Sequence, residues 1–218
     1  MVSKFQTSLN EIKTKILHIG EGLLEANSLI NEALATCNHD KFTEARGKIK
    51  NIGAKADDID NNIIKVLALY TPEARDLRQV VAYLKITNEL SRACSNTRSF
   101  VRGFTDVCTD VDVATINEYA VPMQTSTVKA IKLTLSMIEC SDTEEIQELY
   151  NEVLIEENKT DDLYEMVERN LFQQADGQSF EKFHKMLRAL RKSGKIASRA
   201  ISIANLLVYA KVGGNFHN

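Results

Sequence analysis

The chain has 218 residues, 44% apolar and 26% charged, with two Pro, no Trp and a formal net charge of −3. This composition belongs to a globular protein of one domain or two small ones, long enough to bury a core. Its mildly acidic balance gives no support to general nucleic-acid binding.

No apolar run approaches the roughly 20 residues of a membrane span. The N-terminus, Met1 to Gln6, lacks the apolar centre of a signal peptide, so a cytoplasmic location is expected. Cys37, Cys94, Cys108 and Cys140 show no C-x-x-C spacing. Reduced thiols are therefore expected, without zinc or a disulfide framework. Sparse Pro and Gly with long periodic runs predict an all-α chain.

The first predicted helix carries Phe5, Leu9, Ile12, Ile16, Ile19, Leu23, Ile30 and Leu34, and ends about Cys37, before the turn Asn38-His39-Asp40. The second carries Phe42, Ala45, Ile49, Ile52, Ile59, Ile63 and Val66. The third starts at Pro72, capped by Thr71, and runs to about Cys108. Its stripe begins apolar with Leu77, Val80, Val81 and Leu84, then turns polar with Asn88, Ser91 and Ser95, a pattern that can bury a site in a bundle. The fourth, after a break near Asp110 and Asp112, contains Pro122, which is expected to kink or restart it. Ser141-Asp142-Thr143-Glu144 reads as a capping box for the fifth, which carries Ile146, Val153, Val167 and Leu171. Asp176-Gly177 reads as a turn, and Ser179 as the cap of a sixth helix reaching Gly213-Gly214. The tail from Asn215 is expected to fray.

The halves repeat. Cys37 and Cys140 lie 103 positions apart (140 − 37), as do Leu84 and Leu187, Ser95 and Ser198, and Ser99 and Ser202. Short turns make neighbouring helices antiparallel. The expected architecture is six long helices in two repeated three-helix bundles, residues 1–108 and 109–218.

Pro72, Ala74, Asp76, Leu77 and Arg78, then Leu84-Lys85-Ile86, then Leu90 and Arg92 form a pattern that resembles the signature of the phosphate-uptake regulator (PhoU) family. The resemblance implies two three-helix bundles with carboxylates spaced four apart, which share one helix face and supply hard oxygen ligands to a metal. Here those positions fall on Ala56 and Asp60, Ser91 and Ser95, Glu157 and Asp161, and Gly194 and Ser198. Serine hydroxyls do not offset the desolvation of a metal cation, so no metal and no cofactor is expected. Asp60, Glu157 and Asp161 are the residual metal candidates. The bland reading pairs Glu157 and Asp161 with basic residues of the last helix. Small residues at 91, 95 and 99, and at 194, 198 and 202, are expected to allow close helix packing.

The third and sixth predicted helices are basic, and the second and fifth acidic. Ion pairs between adjacent helices are the plain interpretation. The sharper one is a surface for an anion or acidic partner built from Arg78, Arg188, Arg191 and Lys195. No P-loop, G-x-S-x-G or H-E-x-x-H occurs, and His18, His39, His184 and His217 are scattered, so no enzyme is expected. The resemblance implies a non-enzymatic regulator of phosphate uptake and starvation signalling. Its partners would be a phosphate ABC transporter and a sensor histidine kinase. It would reach the membrane only through those partners, and a homodimer is possible. The rival reading is a metal-free helical adaptor serving another partner. No Glu-x-x-His pair of a di-iron bundle is present.

Overall fold

The structure, a computed structural model, describes residues 4–174 and 179–213. The expected turn at Asp176-Gly177, His217 and the tail from Asn215 lie outside the described residues. Among those described, seven helices and no strand occur: α1 (Lys4–Leu34), α2 (His39–Lys48), α3 (Ile52–Leu69), α4 (Ala74–Asp110), α5 (Val113–Glu139), α6 (Thr143–Gln174) and α7 (Phe180–Lys211).

The six-helix expectation differs from this in one place. The second predicted helix is broken into α2 and α3. Asn51, at the break, adopts φ 57° and ψ 26°. Its short polar side chain makes this left-handed conformation accessible where a β-branched residue would be strained. Asn38 caps α2, its side-chain oxygen accepting from the N–H groups of Asp40 and Lys41.

Other boundaries move for identifiable reasons. The third predicted helix begins at Ala74, with Glu73 and not Thr71 at the cap position. Asp142, not Ser141, caps α6: its Oδ1 accepts from the N–H groups of Glu144 and Glu145, each at 2.9 Å. Ser179 makes no side-chain capping bond. Asp112 caps α5, accepting from Thr115 N–H at 2.9 Å, and α5 then runs through Pro122 without restarting.

Helices α1, α2–α3 and α4 form one three-helix group, and α5, α6 and α7 form the other. The groups meet along α4 and α7, the most extensive helix–helix contact in the molecule, and along α1 and α5. The α1 stripe of Leu9, Ile12, Ile16, Ile19, Leu23 and Ile30 is buried as its spacing predicts. The α4 stripe is rotated from expectation. Its buried face runs through Val80, Tyr83, Ile86, Leu90, Cys94 and Thr97, whereas Leu77 is 42% exposed.

A polar chain crosses this core. Asn27 on α1 donates through Nδ2 to Thr97 Oγ1 on α4 at 3.2 Å. Gln124 on α5 donates to Asn27 Oδ1 at 3.0 Å, and Ser193 on α7 donates to Gln124 Oε1 at 2.8 Å. Thr127 lies 2.9 Å from Ser193 Oγ. All five side chains are fully buried, and their mutual bonds offset the cost of desolvating them.

The thiol expectation is corrected: Cys37 and Cys108 are disulfide-bonded, their Cα atoms 5.6 Å apart. The bond ties the turn after α1 to the last turn of α4. Cys94, fully buried on α4, and Cys140 are free, and burial pushes the Cys94 thiol up to about 12. A thiol so poised packs as a small apolar side chain.

Candidate functional site

The residual carboxylates sit on the outer helices of each group. Glu157 on α6 is half-buried and accepts from Ser198 Oγ of α7 at 3.2 Å. Burial raises its pKa, the charge of Asp161 raises it further, and the Ser198 bond only partly compensates. Asp161 lies one turn on and is exposed. In the first group, Asp60 is half-buried on α3, and its Oδ1 is buried without a hydrogen-bond partner. Burial, then Asp57, raises its pKa. Ser91 Oγ on α4 is likewise buried and unpartnered. The rest of the polar stripe does not line a buried site, because Asn88 and Ser95 are exposed.

This donor set does not fit a metal ion. Among the described residues, no three or more His, Cys, Asp or Glu side chains converge. Asp60 and Glu157 sit where burial already opposes ionisation, and the facing positions supply neutral hydroxyls. Gly194 is filled against instead: a Cβ there would lie 3.3 Å from Met123 Cε.

The ion pairs also run differently from expectation. Glu157 is held by a serine, not by a basic residue. The buried acid is its neighbour Glu156, 3% exposed, which accepts from Lys129 of α5 at 2.7 Å and Lys159 at 2.8 Å. Burial opposes its ionisation, but the bonds from Lys129, Lys159 and Ser126 prevail and hold its pKa below the usual carboxylate value. Between α7 and α4, Arg199 Nη1 donates to Glu89 at 2.9 Å, and Lys185 to Asp110 at 3.2 Å. Lys15 of α1 pairs with Asp58 of α3 at 2.6 Å. Sequence reasoning missed Glu156. Spacing alone does not separate it from Glu157, since both lie three or four positions from Val153 and Thr160.

The basic candidates divide. Arg188, Arg191 and Lys195 are exposed and share one face of α7 at spacings of three and four. Arg78 is half-buried at the start of α4, its Nε lacks a partner, and its guanidinium lies beside Gly213 past the end of α7. The structure therefore does not bring Arg78 to the other three. From 188 to 213 along α7 is on the order of 35 Å.

His18 lies 3.2 Å from Lys55 Nζ, and His184 stacks on Phe180 at 6.0 Å between ring centres. Neither joins a second titratable ligand in a cleft. No described helix is long and apolar enough to cross a membrane.

Residues 16–101 match the PhoU domain. These are most of α1, all of α2 and α3, and most of α4. The chain is 32% identical over 89 residues to the phosphate-specific transport system accessory protein PhoU homolog of Aquifex aeolicus, spanning 41% of this chain and 40% of that one. The fold is that of PhoU from Pseudomonas aeruginosa (TM-score 0.85, 19% identity, 97% of this chain and 100% of that one). It is likewise that of the phosphate transport system regulatory protein PhoU from Streptococcus pneumoniae (TM-score 0.82, 17% identity, 99% and 100%). The chain thus carries a match to the PhoU domain in its first half, and its fold throughout is similar to that of the solved PhoU structures.

Proposed function

We propose that this protein regulates phosphate transport by binding other proteins, without catalysis of its own. The observation that carries the reading is the PhoU domain over residues 16–101. The family relative from Aquifex aeolicus is an accessory protein of a phosphate-specific transport system. In finer terms, the partners are a phosphate ABC transporter and a sensor histidine kinase, met in the cytoplasm at the membrane face.

Because the donor set does not fit a metal, recognition falls to helix surfaces. Arg188, Arg191 and Lys195 present three cations on one exposed face of α7, suited to an acidic partner. Such contacts steer association and weaken with salt. Arg78, packed at the far end, is assigned to structure.

The test is affinity between the purified protein and the transporter ATPase subunit or the sensor kinase of its own cells, at two salt concentrations. Binding that weakens with salt and falls about tenfold or more in the Arg188→Glu/Arg191→Glu double variant supports the surface. Unchanged binding by a folded double variant removes that face from the interface. Failure of both candidates to bind removes the partners.

A further inference from the structure

A groove of about 410 Å³ runs along the seam of α4 and α7, at the end where α4 finishes and α7 begins. Arg102 and Asp106 line it from α4, and Lys185, Arg188 and Lys192 from α7. Its floor is Gly103 against Ala189: a Cβ on Gly103 would come within 3.1 Å of the Ala189 Cβ. Two small residues let the helices close together below and leave open space above.

The cations of this groove are not consumed internally. Lys185 is engaged by Asp110 at 3.2 Å and Glu181 at 3.3 Å. Arg102, Arg188 and Lys192 make no ion pair among the described residues. Asp106 is the acid that shares the groove with them.

The repeat supplies a comparison within the molecule. The residue 103 positions before Lys192 is Glu89 (192 − 103), and the one 103 positions before Arg199 is Asn96 (199 − 103). At Glu89 the seam is closed by charge, since Arg199 donates to that carboxylate at 2.9 Å. The floor positions change too: Gly103 corresponds to Leu206 (206 − 103) and Ala189 to Ile86 (189 − 103). Leu206 and Ile86 are both buried. One end of the α4–α7 seam is thus filled by large apolar side chains and neutralised. The other has small residues below and three uncommitted cations above.

We propose that the open end is a binding site for a small anion bearing two linked phosphate groups. Two such groups carry a charge of about −3 near neutral pH, which answers three cations. Arg102 and Arg188 reach in from opposite helices, and their planar forks suit pairs of phosphoryl oxygens. Lys192 supplies a point charge beside them. A cavity of this size takes a small molecule.

The experiment is calorimetric titration of the full chain with inorganic pyrophosphate at about 50 mM salt, with inorganic phosphate as a second arm. Expected are saturable one-to-one binding of pyrophosphate and binding of phosphate at least about tenfold weaker. Lys192→Glu, which installs the acid found at position 89, is expected to weaken pyrophosphate binding at least about tenfold, as is Arg102→Ala at an exposed site. Arg191→Glu/Lys195→Glu, outside the groove, is expected to stay within about twofold, which separates this site from the proposed partner surface. No saturable binding up to about 1 mM pyrophosphate would overturn the proposal. So would equal affinity for phosphate, or wild-type affinity in folded Arg102→Ala. Circular dichroism of each variant confirms the helical fold.

Discussion

Gln124 on α5 donates to Asn27 Oδ1 on α1 at 3.0 Å, and this bond is the link by which the polar chain from Thr97 to Ser193 passes between the two three-helix groups. Each neighbour depends on it, because the side chains of the chain are fully buried. Gln124→Met leaves the Asn27 carbonyl oxygen and the Ser193 hydroxyl short of partners. The expected cost is about 2–4 kcal/mol. Thr127→Val, which leaves the Ser193–Gln124 bond in place, is expected to cost about 1 kcal/mol. Urea unfolding checks both, read as midpoint shifts at unchanged slope.

Glu156 gives a pH-dependent outcome. Its folded pKa lies below the usual carboxylate value because Lys129, Lys159 and Ser126 outweigh burial. A carboxylate of this kind contributes stability above its unfolded pKa and loses it as pH falls through the lower folded value. Glu156→Gln removes the charge that the two lysines answer. It is expected to cost about 1–3 kcal/mol at pH 7. The gap between wild type and variant should close on acidification below the ordinary carboxylate pKa. Denaturant midpoints at neutral and acid pH measure it, and a gap that widens in acid would show that Glu156 is held protonated.

The apolar stripes were legible because their spacing is local: Ile12, Ile16, Ile19 and Leu23 announce a buried face by position alone. What was not legible depends on partners far along the chain. Cys37 and Cys108 are separated by 71 positions, and nothing in their spacing pairs them. Asn27 and Gln124 sit within apolar stripes, where a polar residue reads as an interruption until the opposite helix is seen. The break at Asn51 follows from one residue's tolerance of a left-handed turn, inside a pattern that otherwise continues. At the carboxylate positions the neutral residue types, Ala56, Ser91, Ser95, Gly194 and Ser198, were legible directly. That Glu157 would be answered by Ser198, and not by a basic residue, required the rotation of α7.

The Cys37–Cys108 disulfide closes a loop of 71 positions. In the chain-entropy view a loop of that size contributes about 4 kcal/mol. Oxidised protein is therefore expected to unfold at distinctly higher urea than protein held in reductant, with Cys37→Ser matching the reduced form. Thiol titration in denaturant without reductant should find Cys94 and Cys140 alone reactive. Four reactive thiols in air-oxidised protein would show the bond absent.

Metal content follows from the donor set. Protein purified without chelators is expected to hold no stoichiometric iron, zinc or manganese, measured by elemental analysis. Returning a carboxylate with Ser198→Asp, beside Glu157, is expected to raise divalent-metal affinity above that of wild type. About one metal per three-helix group in wild-type protein would contradict the assignment of this site as degenerate.

The most direct measurement is made in the protein's own cells. The gene is deleted, and phosphate uptake is followed with a phosphate-starvation reporter in phosphate-rich medium. A regulator that dampens starvation signalling leaves the reporter on when it is lost. The expected result is reporter activity raised at least about tenfold, restored by the wild-type chain but not by Arg188→Glu/Arg191→Glu at equal protein level. A deletion strain with unchanged uptake and a silent reporter would contradict a role in phosphate transport.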